Sequence, residues 1–189
     1  MPSISLGNTE INVVEELKLL GIIITSDMKW HVNRAYLCGK DYDRLWMIRN
    51  LKRLGASQIE LIDVYQKQVR SILELAVPVW TAGLTMDDIR DLERVQKTAL
   101  AIILGSKFND YFDALCELKI ESLKDRRQDL CIKFAKKASR SDKFKHWLTK
   151  TEFPNIQTRS EKTIYKDVPF RTERFYKSPI PFLTRLLNR

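Results

Sequence analysis

Two adjacent carboxylates are the first residues of this sequence whose type and spacing could do chemistry. Asp87 and Asp88 follow Thr85 and Met86. Paired carboxylates can hold the two divalent ions, about 4 Å apart, that phosphoryl transfer uses. They do so from a tight turn between apolar strands, with a further acid from another strand. Here the next residues, IRDLERVQ, carry helical spacing, and Asp91 and Glu93 add acid to the first turns. Acids at a helix start are favoured by the helix dipole, and Thr85 with Asp88 three places on is a capping-box pattern. The pair is therefore read as a helix start, and no catalytic residue, metal ligand or cofactor is assigned. His31, beside Trp30 at a helix start, is read as a packing or capping residue rather than a catalyst, and His146 is the only other histidine. Cys38, Cys116 and Cys131 are odd in number and far apart. That argues against a disulfide framework and for reduced core thiols in an intracellular protein, cytoplasmic or nuclear.

The cations say more. Thirty-three Lys and Arg stand against 24 acids in 189 residues, a net charge of +9. The excess is uneven: residues 1–30 carry −2, 31–56 +4, 57–105 −2, 106–150 +5 and 151–189 +4. This distribution suits a polyanionic partner. Two clusters stand out. Arg49, Lys52 and Arg53 crowd one helix end, where they complement the dipole or contact phosphates. At about 100° per residue, Arg126, Lys133, Lys137 and Arg140 fall within roughly 60° of one another. They form either a solvated face or one that meets something anionic.

The elements that must position these residues centre on 57–105, two amphipathic helices around Pro78. In the first, Ile59, Ile62, Tyr65, Val69, Ile72, Leu73 and Ala76 share a face. Asp63–Lys67 and Arg70–Glu74 are spaced to pair, and the helix stops or kinks at Pro78, with Val77 pushed toward extended geometry. The second buries Ile89, Leu92, Val95, Ala99, Ile102 and Ile103 and ends at Gly105.

Upstream, strands over 4–6 and 11–14 flank a turn at Gly7-Asn8, and the apolar run 17–24 reads as a third strand, with a bulge or a close backbone approach at Gly21. A helix over 29–54, capped by Ser26 or Asp27, buries Val32, Ala35, Cys38, Tyr42, Leu45 and Ile48. Downstream come a helix over 111–118 and one over 123–139, capped by Ser122 with Asp125. The latter has an apolar face of Leu123, the Arg127 stem, Leu130, Cys131, Phe134 and Ala138. From Thr151, Pro154, Pro169, Pro179 and Pro181 forbid a long helix, leaving one short turn over 182–187. The aromatics of that tail, Tyr165, Phe170, Phe175, Tyr176 and Phe182, suit base stacking or a strap on the core. No run approaches the roughly 18 apolar residues of a membrane span, and no secretory signal opens the chain.

The blocks ELKLLGI (16–22), MKWHV (28–32), VRSILE (69–74) through Val79-Trp80, LERVQKTA (92–99), ILG (103–105) and SPIPFLTRLLN (178–188) resemble, in order and spacing, the C-terminal part of a non-LTR retrotransposon (LINE, jockey-like) reverse transcriptase. The resemblance implies a mainly α fold: a thumb-like helical bundle with a small N-terminal antiparallel β segment and an irregular C-terminal tail. It divides the chain into 1–28, the end of a polymerase palm; 29–105, the thumb-like domain; 106–150, further helices; and 151–189, a basic Pro-rich tail. Lys18, Leu20 and Gly21 fall in the block that places the primer's end.

On the same resemblance the fingers, the palm aspartates and any endonuclease would precede Met1. The chain is then expected to be a truncated element with no polymerase activity of its own. Its partner would be the backbone of an RNA–DNA or DNA duplex, held weakly and without sequence preference. The alternative is a helical protein-interaction domain working through its apolar faces, or the product of an inactive gene copy.

Overall fold

The computed structural model describes residues 4–7, 9–151 and 164–188; Asn8 and Pro154 of the readings above lie outside them. The chain is mainly helical, with two small antiparallel hairpins at its start. Strands β1 (Ile4–Leu6) and β2 (Thr9–Ile11) pair in the register Ile4↔Ile11. The hairpin around Gly7 is as expected, with its second strand two residues earlier.

The run 17–24 is not one strand. It folds on itself as β3 (Glu16–Leu19) and β4 (Ile22–Thr25), with Leu19 opposite Ile22. Leu20 (φ 48°) and Gly21 (φ 90°) form the two-residue turn. Positive φ at both turn positions matches the twist of a hairpin. Gly21 meets that demand without cost, whereas Leu20 is strained by roughly 1–2 kcal/mol. Of the bulge or close approach expected at Gly21, the bulge is replaced by this turn and the close approach is made by Leu75.

Of these two strands, β3 is exposed along its length and β4 touches the core. Ile22 and Thr25 are buried, and the Ile23 amide donates to Asn33 Oδ1 at 2.9 Å, which ties the strand to the first helix. That helix, α1 (His31–Arg53), begins two residues later than expected and has no side-chain cap. Asp27 instead closes the preceding loop, accepting from the Thr25 hydroxyl at 2.6 Å and the Lys29 amide at 3.0 Å. The buried face of α1 is Asn33, Leu37, Cys38, Asp41, Leu45 and Ile48. Two polar residues stand on the inner face, so it is rotated away from the expected stripe; Ala35 and Tyr42 are exposed and Val32 half-buried.

The rod that follows starts as α2 (Gln58–Val64), capped by the Ser57–Glu60 box. It passes through a π-helical stretch, Tyr65–Arg70, and ends in α3 (Ser71–Leu73). Its buried residues, Leu61, Tyr65, Val69 and Leu73, recur every four. In a regular α-helix that spacing drifts by about 40° per step, and the wider π turn takes up the drift. Ile59 is exposed and Ile62 half-buried as a result, against expectation.

The break falls at Ala76, in the left-handed region at φ 50°. Pro78 then sits in the first turn of α4 (Val77–Trp80), where its missing N–H costs nothing. Val77 is thus helical rather than extended. The buried Trp80 indole N–H donates to the Leu75 carbonyl left free by the break, at 2.7 Å.

Helix α5 (Met86–Leu104) carries the expected Thr85–Asp88 box and ends at Gly105. Helices α6 (Tyr111–Leu118) and α7 (Leu123–Arg140) also stand as read. Phe134, however, is exposed and Ala135 takes its place inside. Glu93 reaches from α5 to the first amides of α7, Lys124 at 2.6 Å and Leu123 at 3.2 Å, so a carboxylate stabilises that N-terminus.

The tail is a strap. After α8 (Glu173–Tyr176), α9 (Pro179–Leu187) starts three residues earlier than the turn expected there, since Pro is tolerated in a first helical turn. It buries Leu183, Thr184 and Leu186. Asn188 clasps the Tyr165 backbone through two hydrogen bonds, at 2.8 and 2.9 Å. One hydrophobic cluster runs from Ile22 to Leu186 and joins all four segments of the sequence reading.

Candidate nucleic-acid interface

The seven cations singled out from the sequence separate into three groups. Lys52 and Arg126 are consumed internally. Lys52 Nζ donates to the Ile102 and Ile103 carbonyls at 2.6 and 3.1 Å, capping the C-terminus of α5. A Cβ at Gly105 (φ 63°) would lie 2.5 Å from that ammonium, so the glycine leaves it room. Arg126 grips Glu74 through Nε at 2.8 Å and Nη2 at 3.4 Å. That hydrogen-bonded carboxylate holds its guanidinium pKa above the usual range, and Glu74 also pairs with Arg70 at 3.1 Å.

Arg49 and Arg53 form the second group. Both are exposed and have no partner among the described residues. They are in helical phase with Ala35, Gly39, Tyr42 and Trp46, all exposed, so one face of α1 presents small residues, then two aromatics, then two guanidinium groups. Trp46 is 65% exposed, and a side chain at Gly39 would meet open space. Burial pushes the Tyr42 phenol pKa up, and the Arg94 guanidinium of α5 is close enough to oppose the shift. The outer face of α5 continues the basic surface with Arg90, Arg94 and Lys97. Arg90 pairs with Asp87 and Arg94 with Asp91, while Lys97 has no partner among the described residues.

Lys133, Lys137 and Arg140, the third group, are exposed and unpaired among the described residues. They lie beside Phe134 along α7, next to an apolar groove between α4, α7 and α9. The expected stripe of four is therefore three, bordering apolar surface.

The residues assigned to primer placement sit apart from these faces. Lys18 Nζ lies 4.8 Å from the centre of the Tyr36 ring, with Lys40 Nζ at 4.6 Å. Leu20 is the 91% exposed tip of its hairpin. Gly21 is pressed against Leu75, whose Cδ2 would stand 2.9 Å from a Cβ there.

Asp88 is buried at the start of α5. It caps Thr85 and accepts from Arg34 Nε at 3.1 Å, while Arg34 Nη1 reaches Asp91 at 2.9 Å. Burial raises the Asp88 pKa, but Thr85 and Arg34 outweigh it and hold the carboxyl below its ordinary value. Cys38 and Cys131 are buried and their pKa values are pushed up to about 11, whereas Cys116 is exposed rather than a core thiol.

Sequence reasoning missed Tyr42 and Trp46 as surface residues. The available signal was their phase: Trp46 lies four from Tyr42 and three from Arg49, a pattern that belongs to one face. It also assigned no role to Arg90, Arg94 and Lys97, which stand between the apolar positions of α5. Among the described residues no helix is long and apolar enough to cross a membrane. No family model, curated protein or solved structure matches the chain.

Proposed function

We propose that the chain is the template–primer-holding, thumb-like part of a mobile-element RNA-directed DNA polymerase. In this reading it grips the backbone of an RNA–DNA or DNA duplex through the exposed face of α1 and performs no catalysis of its own. The observation that carries the reading is the pair Arg49 and Arg53, exposed, unpartnered and in line with Tyr42 and Trp46. Guanidinium groups donate in a fork to phosphate oxygens, and the flat aromatics supply contact area along sugars and bases. The small residues Ala35 and Gly39 let a backbone approach the same helix closely.

Contacts of this kind release counterions and ignore sequence. Binding is therefore weak, roughly micromolar at physiological salt, and steeply salt-dependent. Fluorescence anisotropy with a short RNA–DNA hybrid between about 50 and 200 mM salt tests it. Substituting both arginines by Gln is expected to weaken binding and make the log–log salt slope shallower by about 2. Trp46→Ala is expected to weaken binding with the slope unchanged. Parent protein that binds no hybrid at low salt overturns the proposal. The second reading, a protein-interaction domain, is favoured by one observation: the apolar groove beside α7.

A further inference from the structure

We infer that the apolar groove between α7 and α9 docks an acidic amphipathic helix of a partner protein. The groove encloses about 590 Å³, walled by Val79, Phe134, Trp147, Ile180 and Leu183. Val79 and Phe134 are 40% and 39% exposed there, so large apolar groups of a folded protein face solvent. A second depression of about 230 Å³ opens further along α7, against Ala138 and Phe144. Phe134 borders both and is the ridge between them. The second depression lies one turn further on, since Ala138 follows Phe134 by four residues. Side chains four apart on a helix are about 6 Å apart along its axis. A docking helix with apolar residues at that spacing seats one on each side of the ridge, as helix-in-groove recognition requires.

The charge of the occupant follows from α7. Lys133 and Lys137 stand together to one side of Phe134 on the helix, and Lys137 edges the second depression. Arg140 continues the line, and none of the three has a partner among the described residues. No carboxylate lines either depression among the described residues. A helix with Glu or Asp beside its apolar stripe is attracted and oriented, and one with Lys is repelled. This surface does not depend on the duplex reading, which rests on Arg49 and Arg53.

The test uses the full chain and a fluorescein-labelled synthetic helix of roughly 16 residues, with Leu at positions i and i+4 and Glu along the flank. Two control peptides replace the leucines by Ala or the glutamates by Lys. The acidic Leu peptide is expected to bind, and both controls to bind at least about tenfold more weakly. Val79→Glu is expected to abolish binding. Lys133→Glu with Lys137→Glu should lose the acidic peptide and gain the Lys version, a reversal that a misfolded variant cannot produce. Circular dichroism melts of each variant confirm folding.

Binding of none of the peptides overturns the inference, as does equal binding of the Glu and Lys versions. Concentration-dependent dimerisation that Val79→Glu abolishes, with no peptide bound, also overturns it in favour of a second copy. An RNA–DNA hybrid whose binding falls with both Val79→Glu and the lysine reversal, again with no peptide bound, assigns the surface to nucleic acid instead.

Discussion

Asp41 is fully buried in α1, and neither of its carboxyl oxygens has a hydrogen-bond partner. Burial pushes its pKa up to about 8, with Arg44 and Lys40 on the same helix opposing the shift only in part. The Tyr65 phenol also feels its charge, from the π-helical stretch. The folded-state pKa is raised, so the folded chain holds a proton that the unfolded chain releases near pH 4. Its contribution to stability is full below that pH, falls as pH rises toward about 8, and is level beyond it. Asp41→Asn is expected to flatten this decline and to add a few kcal/mol at pH 8, checked by urea unfolding at several pH values. Glu93 makes the opposite case. Its carboxylate serves the α7 amides and the Tyr111 hydroxyl, and lies 3.8 Å from the buried Arg127. Glu93→Ala strands that guanidinium and is expected to cost about 3 kcal/mol by denaturant unfolding.

At the level of elements, the two hairpins differ in what they contribute. Residues 11–14 are exposed, whereas β4 contributes Ile22 to the core and its backbone to Asn33. Removing residues 1–14 is expected to leave the melting temperature within a few degrees, while removing 1–24 is expected to lower it steeply; calorimetry distinguishes the two. Gly21→Ala is expected to cost roughly 1–2 kcal/mol, because φ 90° strains an L-residue and the new methyl meets Leu75. Normal stability in that variant contradicts the turn geometry.

Across the whole molecule one core joins β4, the α1–α5 helices and the α9 strap. Unfolding is therefore expected as one cooperative transition, with far-ultraviolet dichroism and tryptophan fluorescence coincident; two separated transitions would divide the chain into independent units. The face of α1 and the groove beside α7 share no residue, so their variants are expected to act independently. Arg49→Gln with Arg53→Gln should change duplex binding alone, and Val79→Glu peptide binding alone, both measured by anisotropy.

Local chemistry was legible without the fold. The capping box at Thr85–Asp88, the Ser122 cap and the Gly105 stop depend on neighbours within four residues, and the structure places each of them, whereas the break expected at Pro78 falls at Ala76. Helix phase was legible only where the inner face is apolar. On α1 it misled, because Asn33 and Asp41 are inside and Tyr42 and Trp46 outside, and only β4, α2 and α5 packing around the helix decides which side is in. Along α2 and α3 the π turn shifted the stripe, and no local residue announces a turn set by packing.

The candidate site divides in the same way. That cations cluster near 49–53 and 126–140 follows from the sequence. Which of them are free does not. Lys52 is spent on a carbonyl pair some 50 residues away and Arg126 on a carboxylate 52 residues away. Charge partners at that separation are chosen by tertiary contact alone, because a side chain bonds whatever group the fold brings within about 3 Å.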